Sequence, residues 1–199
     1  MGRTSDTREK LIETAIELMW RDSYNSVSVD DICKKADVKK GSFYHYFPSK
    51  ISLANAAMQF CTRDMKSHYD NMFSPTRHPL DRLDLMVEYV IENQKEIKAR
   101  YGHVCGCPFI TIGSELAAQD DAMAQTISGI LDLKTAYYKS VLKDLVDLKL
   151  IPADTNIDEK AQDIFSFIVG QLTTARIRND IGYLENHMKQ SLRNLLGVA

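Results

Sequence analysis

The run Lys39-Lys40-Gly41-Ser42-Phe43-Tyr44-His45-Tyr46-Phe47-Pro48-Ser49-Lys50 gathers ammonium groups, hydroxyls, an imidazole and flat rings in one short stretch. Lysines and hydroxyls bond phosphate oxygens, a glycine lets a backbone come close, and aromatic side chains pack on sugars or thymine methyls. This is chemistry for holding duplex DNA. From Cys33 to Lys50 five lysines stand against Asp37 alone, on a chain whose net charge is −2. A basic patch on a mildly acidic chain marks a confined nucleic-acid footprint, not a generally basic protein.

Two short helices and a turn must position these groups. Val29, Ile32, Cys33 and Ala36 recur at spacings of three and four, which puts four apolar groups on one side of a helix. Ser28 caps its start, Ser28-x-x-Asp31 is a weaker relative of the capping box, and Asp30 and Asp31 suit the positive end of the dipole. After a polar turn at Asp37, Phe43 and Phe47 anchor a second helix of two turns, and Pro48 ends it. With those rings buried, Ser42, Tyr44 and His45 face outward and Tyr46 lies on the flank. Lys39, Lys40 and Gly41 stand at the amino-terminal end, where recognition helices meet base edges. Leu11, Ile12, Ala15, Ile16 and Met19 give a preceding helix the stripe that covers both. From these residues alone the segment is a DNA-binding helix-turn-helix, with a plain helical hairpin bearing a solvated lysine face as the alternative.

The stretch from about Thr7 to Leu53 resembles the amino-terminal domain of the TetR family of transcriptional regulators. The resemblance is carried by Gly41-Ser42-Phe43-Tyr44-His45-Tyr46-Phe47-Pro48-Ser49-Lys50, a small residue, an aromatic-rich recognition helix and a lysine opening the next helix. It implies that Ser28, Lys39, Lys40, Gly41, Ser42, Tyr44, His45, Tyr46 and Lys50 contact an operator while Phe43 and Phe47 hold the domain together.

The remaining chain reads as helix throughout. Its 199 residues contain five prolines and nine glycines, with no low-complexity tract and no repeat of solenoid period. No run approaches the roughly 18 apolar residues of a membrane span. The opening Met1-Gly2-Arg3-Thr4-Ser5-Asp6 lacks the apolar core of a signal peptide, so a cytoplasmic protein without membrane partners is expected. The expected fold is all-α: a three-helix DNA-binding domain over 1–50, a connecting helix over 51–74 that Ser49 caps, and a larger regulatory and dimerisation domain over 75–199. Phe73 to Pro79 is the clearest break. Pro79 then starts a helix bearing Leu80, Leu83, Val87, Val90, Ile91 and Ile97. A short helix from about Pro108 to Ala118 and a long one from about Asp121 to Lys149 follow. Asn156 opens another and a last one carries Leu184, Met188, Leu192 and Leu195.

One two-turn helix buries too little surface to select a genomic site, so a dimer reading a palindrome is required. The helix through Ala161, Ile164, Phe165, Phe167, Ile168, Val169 and Leu172 is apolar on two faces, with Gly170, Thr173 and Thr174 allowing close approach. This points to an interface through Phe165, Ile168, Leu172, Leu184, Met188 and Leu192. The resemblance implies a four-helix bundle there. A small-molecule effector that favours one separation of the DNA-binding units would release the operator. Candidate pocket residues are Met86, Tyr89, Val90, Phe109, Ile112, Tyr137, Tyr138 and Phe167, apolar with a few phenol hydroxyls.

His103-Val104-Cys105-Gly106-Cys107-Pro108 is the other chemically loaded run. Cys107 falls at a helix N-cap with Lys98, Arg100 and His103 near it in sequence, which favours a thiolate and makes Cys105 and Cys107 candidate electrophile or oxidant sensors. Some members of the resembled family carry a glycine-cysteine pair here, and a subset sense electrophiles or oxidants. The bland alternative is a buried thiol. A Cys-x-Cys beside one histidine is a poor zinc site, and four scattered cysteines are no disulfide framework. No metal and no cofactor are expected. An enzyme with Cys107 as nucleophile, His103 as base and Glu115 or Asp120 as orienting group is a remote rival, and a purely protein-binding adaptor leaves Lys39, Lys40, Tyr44 and Tyr46 unexplained.

Overall fold

The computed structural model describes residues 2–198, with side chains from residue 6 onward; Met1 and Ala199, the outer limits of the expected 1–50 and 75–199 domains, lie outside the described residues. Among the described residues there are nine helices and no strand: α1 (Gly2–Asp22), α2 (Val29–Ala36), α3 (Lys40–Tyr46), α4 (Lys50–Met72), α5 (Pro79–Tyr101), α6 (Pro108–Leu116), α7 (Asp121–Asp147), α8 (Ile157–Arg178) and α9 (Gly182–Leu196). The chain forms two compact units. One ends at Met65 and resumes over Pro108–Ile130; the other comprises Lys66–Cys107 and the chain from Leu131 onward. Compactness thus groups α6 and the first part of α7 with the helix-turn-helix, where cuts after 50 and 74 would separate them.

Local chemistry explains the boundaries in the first unit. Ser28 is extended, its hydroxyl accepts the Asp31 N–H at 3.1 Å, and the Asp31 carboxylate accepts the Ser28 N–H at 2.9 Å, a complete capping box. Asp37 ends α2 in the left-handed region at φ 52°, returning its N–H to the carbonyls of Cys33 and Lys34. An aspartate tolerates that conformation better than most residues. Reciprocal bonds between Ser49 and Ser52 cap α4. Leu11, Ile12, Ala15, Met19, Ile32, Phe43, Phe47, Leu53 and Met58 form the core, and Leu18 is buried while the expected Ile16 is only half-buried. Gly113 seats α6 on α7, since an added Cβ there would lie 3.0 Å from the Ile127 side chain.

In the second unit His78 and Pro79 start α5, Asn156 caps α8, and Asn179 ends α8 in the left-handed region. Arg82, 2 % exposed, pins the loop before α5 to α7: it donates to the carbonyls of Arg77 at 2.9 Å and Pro75 at 3.0 Å and pairs with Asp144 at 2.5 Å. Three partners satisfy its charge, so burial is tolerated.

Within one chain α9 packs on both α8 and α5. Ile168, Leu172, Leu184, Met188 and Leu192 are all buried within one chain, leaving only Phe165 half-exposed among the six expected interface residues.

Candidate nucleic-acid interface

Packing decides which way α3 faces. Phe43 and Phe47 are 0 % and 3 % exposed, with ring centroids 6.1 Å apart, so the outward surface belongs to the residues between and before them. Tyr44 is 51 % exposed and meets Phe43 edge-to-face at 5.1 Å, a buried ring thus fixing the pose of an exposed one. His45 is exposed and sits edge-on to the half-buried Tyr46 at 4.9 Å; Ser42 is half-buried. Lys39, Lys40 and Gly41 are exposed at the start of the helix, which has no side-chain cap. A Cβ on Gly41 would meet nothing within 4 Å. Glycine inside a helix costs about 0.5–1 kcal/mol relative to alanine, and no internal contact asks for it here.

The charge pattern is less one-sided than the sequence count. Lys40 pairs with Asp30 at 2.8 Å and Lys35 with Glu17 at 2.5 Å. A window opening at Cys33 leaves out Asp30 and Asp31 and overstates the local positive charge. The Lys40 pair is exposed, and its hydrogen bond to Asp30 holds the lysine pKa above its usual value. Ser28 lies on the exposed side with its hydroxyl donated to Asp31 at 2.5 Å.

Lys50 departs from the expectation most. Its Nζ donates to the carbonyls of Tyr24 at 2.9 Å and Val27 at 2.8 Å and lies 3.9 Å from the Tyr24 ring centroid. Burial pushes its pKa down. Lys50 ties down the α1–α2 turn, because the fold brings the Tyr24 and Val27 carbonyls under the first turn of α4.

The expected pocket residues are divided between the two units. Phe109 and Ile112 are core of the first unit, at 3 % and 0 % exposure, whereas Met86, Tyr89, Val90, Tyr137, Tyr138 and Phe167 belong to the second. There Met86 and Tyr138 are fully enclosed and Tyr137 donates its hydroxyl to Asp70. Among the described residues of this unit an open groove of about 450 Å³ runs between α4 and α5, lined by Ser67, His68, Asn71, Met72, Leu85, Glu88, Tyr89 and Glu92. Only Tyr89 is shared with the expected set. Helical periodicity identifies apolar positions, and it does not separate those that fill a core from those that border a hollow.

The cysteine loop is firmly held. Gln94 accepts the Gly106 N–H at 2.9 Å and donates to its carbonyl at 3.2 Å; Arg176 donates to the Cys105 carbonyl at 2.8 Å; Asn179 accepts the Val104 N–H at 2.9 Å. Gly106 has φ 72°, which suits only glycine comfortably. Cys105 is 0 % exposed, and Cys107, directly before α6, is half-buried. The cation beside Cys107 is not one near it in sequence but Lys134, whose Nζ donates to Sγ at 3.9 Å and stands 5.6 Å from the Tyr69 ring centroid. Burial pulls the Lys134 pKa down, but Cys107, Tyr69 and Tyr89 together more than offset it and the net shift is upward. Lys98 spends a bond on the Asn179 carbonyl.

Both acids proposed to orient a catalytic histidine have tasks in the fold: Glu115 accepts from the α1–α2 turn, and Asp120 caps α7 through the Met123 N–H at 2.7 Å. Among the described residues no three His, Cys, Asp or Glu side chains cluster to hold a metal, and no helix is long and apolar enough to cross a membrane. Lys134 carried no signal in the sequence, and the contact of Glu115 with the α1–α2 turn carried none either, since each acts on residues far away in the chain.

Residues 11–57 match the family described as bacterial regulatory proteins, tetR family, and residues 79–191 match the tetracyclin repressor-like C-terminal domain. An uncharacterised HTH-type transcriptional regulator from the lacX 3′ region of Lactococcus lactis is 26 % identical over 186 residues, 92 % of this chain and 89 % of that one. The transcriptional regulator AcuR of Cereibacter sphaeroides is 28 % identical over 170 residues, covering 85 % and 76 %. The crystal structure of the regulatory protein TetR from Rhodobacter sphaeroides superposes with a TM-score of 0.81 at 26 % identity, over 95 % of this chain and 96 % of that one.

Proposed function

The chain belongs to the TetR family of bacterial transcriptional regulators, and from that premise we propose that it is a homodimeric repressor that reads a palindromic operator through α3 and leaves it when an effector binds. The observation that carries the reading is the pose of α3, with Phe43 and Phe47 inside and Gly41, Tyr44 and His45 outside. Two such helices in successive major grooves stand about 34–36 Å apart on one face of the duplex. A dimer surface remains after the chain's own packing is subtracted: Phe165, Val169, Thr173 and Ile177 recur every four residues along α8 and are half or fully exposed, and Tyr183 and His187 continue the patch on α9. Selection of bound duplexes from a random library tests the reading. The expected product is a palindrome bound with steep salt dependence; recovery of no enriched sequence, or of a single asymmetric half, refutes it.

A thiol reading of the effector is favoured by the half-buried Cys107 beside the Lys134 ammonium, on a loop clamped by Gln94 and Arg176. Cys105, fully buried, is assigned a packing role. Cys107→Ser should abolish release of the operator by a quinone while Cys105→Ser leaves it intact; the opposite pattern rejects the assignment.

A further inference from the structure

The turn between α1 and α2 is gripped from two directions within the first unit. Lys50 of α4 meets only its carbonyls, those of Tyr24 and Val27. Glu115 of α6 meets only its donors: its carboxylate accepts the Asn25 N–H at 3.1 Å, the Asn25 side-chain amide at 3.0 Å and the Tyr24 N–H at 3.4 Å. One residue past the turn stands Ser28, the cap of α2, and α2 packs directly on α3. α6 is itself seated by the close approach of Gly113 to Ile127 and by its packing on α1.

We propose that Glu115 is a positioning residue for DNA binding, which from α6 fixes the α1–α2 turn and so the pose in which α2 and α3 meet the duplex. The inference rests on the DNA-binding reading of α3. A turn left loose must be ordered when the complex forms, and that cost is subtracted from affinity. Glu115 is seven residues into α6, about 10 Å along its axis from Pro108.

The sign of the effect separates this role from simple electrostatics. A carboxylate acting only through its charge repels a polyanion, so its removal would tighten binding. A carboxylate acting as a clamp does the reverse. The test uses the full-length protein and a duplex selected by the wild type. Glu115→Ala should weaken binding by about tenfold, the scale of one charge-assisted hydrogen bond. The slope of log affinity against log salt should not change, because no phosphate contact is lost. Glu115→Gln keeps an acceptor for Asn25 and should recover most of the affinity. Amide exchange at Tyr24 and Asn25 should quicken in Glu115→Ala while the cooperative melt and the oligomeric state are retained, since the two Asn25 bonds are exposed. Equal or tighter binding by Glu115→Ala overturns the proposal, as does a Glu115→Gln protein that behaves like the alanine variant. If the wild type selects no duplex, the underlying reading of α3 fails instead.

Discussion

Replacing Lys50 with methionine separates two tasks for the lysine that opens α4. The aliphatic stem survives the change, and what disappears is an ammonium bonded to the Tyr24 and Val27 carbonyls and seated 3.9 Å from the Tyr24 ring centroid. Hydrogen bonds to charged groups contribute about 1.5–3 kcal/mol each in favourable settings. This group is only half-buried, and burial opposes its charge, so its removal also recovers desolvation energy. A net loss of about 1 kcal/mol results, which lowers the melting temperature of a chain of this size by about 2–4 °C. The pH dependence has a definite sign. A lysine whose folded pKa is depressed binds its proton less readily than in the unfolded chain, so its contribution to stability rises with pH in the alkaline window just below the ordinary lysine value. The methionine variant should lose that rise. In salt titrations of a selected duplex, affinity should fall by about threefold to tenfold as the turn slackens, with the salt slope unchanged. A slope reduced by about 0.9 for each lysine removed would mean a lost phosphate contact and would refute the reasoning.

Phe43→Ala empties a fully buried position and should cost about 3–5 kcal/mol, seen as loss of the cooperative melt of the first unit together with loss of DNA binding. Ile177→Glu places a charge on a side chain 80 % exposed in the single chain; it should leave the fold intact by circular dichroism and yield monomers by sedimentation, and a persistent dimer locates the interface elsewhere. The capping box should fail in acid. Hydrogen bonds from Ser28 hold the Asp31 carboxyl below the usual aspartate range, so the cap is present above that range and lost as pH falls through the lower folded value. Helical signal and duplex binding should drop in that window, and Asp31→Asn should remove the transition.

The helix-turn-helix was legible because its information is local. Two phenylalanines four apart fix which face of α3 is wet, and Ser28, Asp37 and Pro48 mark where helices must start, turn and stop. Pro79 and Asn156 announced α5 and α8 in the same way. What the sequence hid depends on partners far along the chain. Lys50 reads as a basic residue in a basic patch until the carbonyls of Tyr24 and Val27 are found beneath it. The cation beside Cys107 comes from Lys134 on α7, not from the nearby Lys98. On α8, Ile168 and Leu172 are buried within the single chain and Ile177 is exposed. Apolar periodicity reports that a side chain needs cover without saying what covers it.

The central claim is that the exposed side chains of α3 read DNA while its buried rings only hold them in place. The most direct test compares wild type with Tyr44→Ala in binding the selected palindrome against an unrelated duplex at fixed salt. Tyr44 is half-exposed and only its edge touches Phe43, so the variant should keep its melting temperature and its dimer. The preference for the palindrome should fall by about tenfold or more, since base-edge contacts carry about 1–3 kcal/mol each. An unchanged preference would place sequence reading outside α3 and contradict the account.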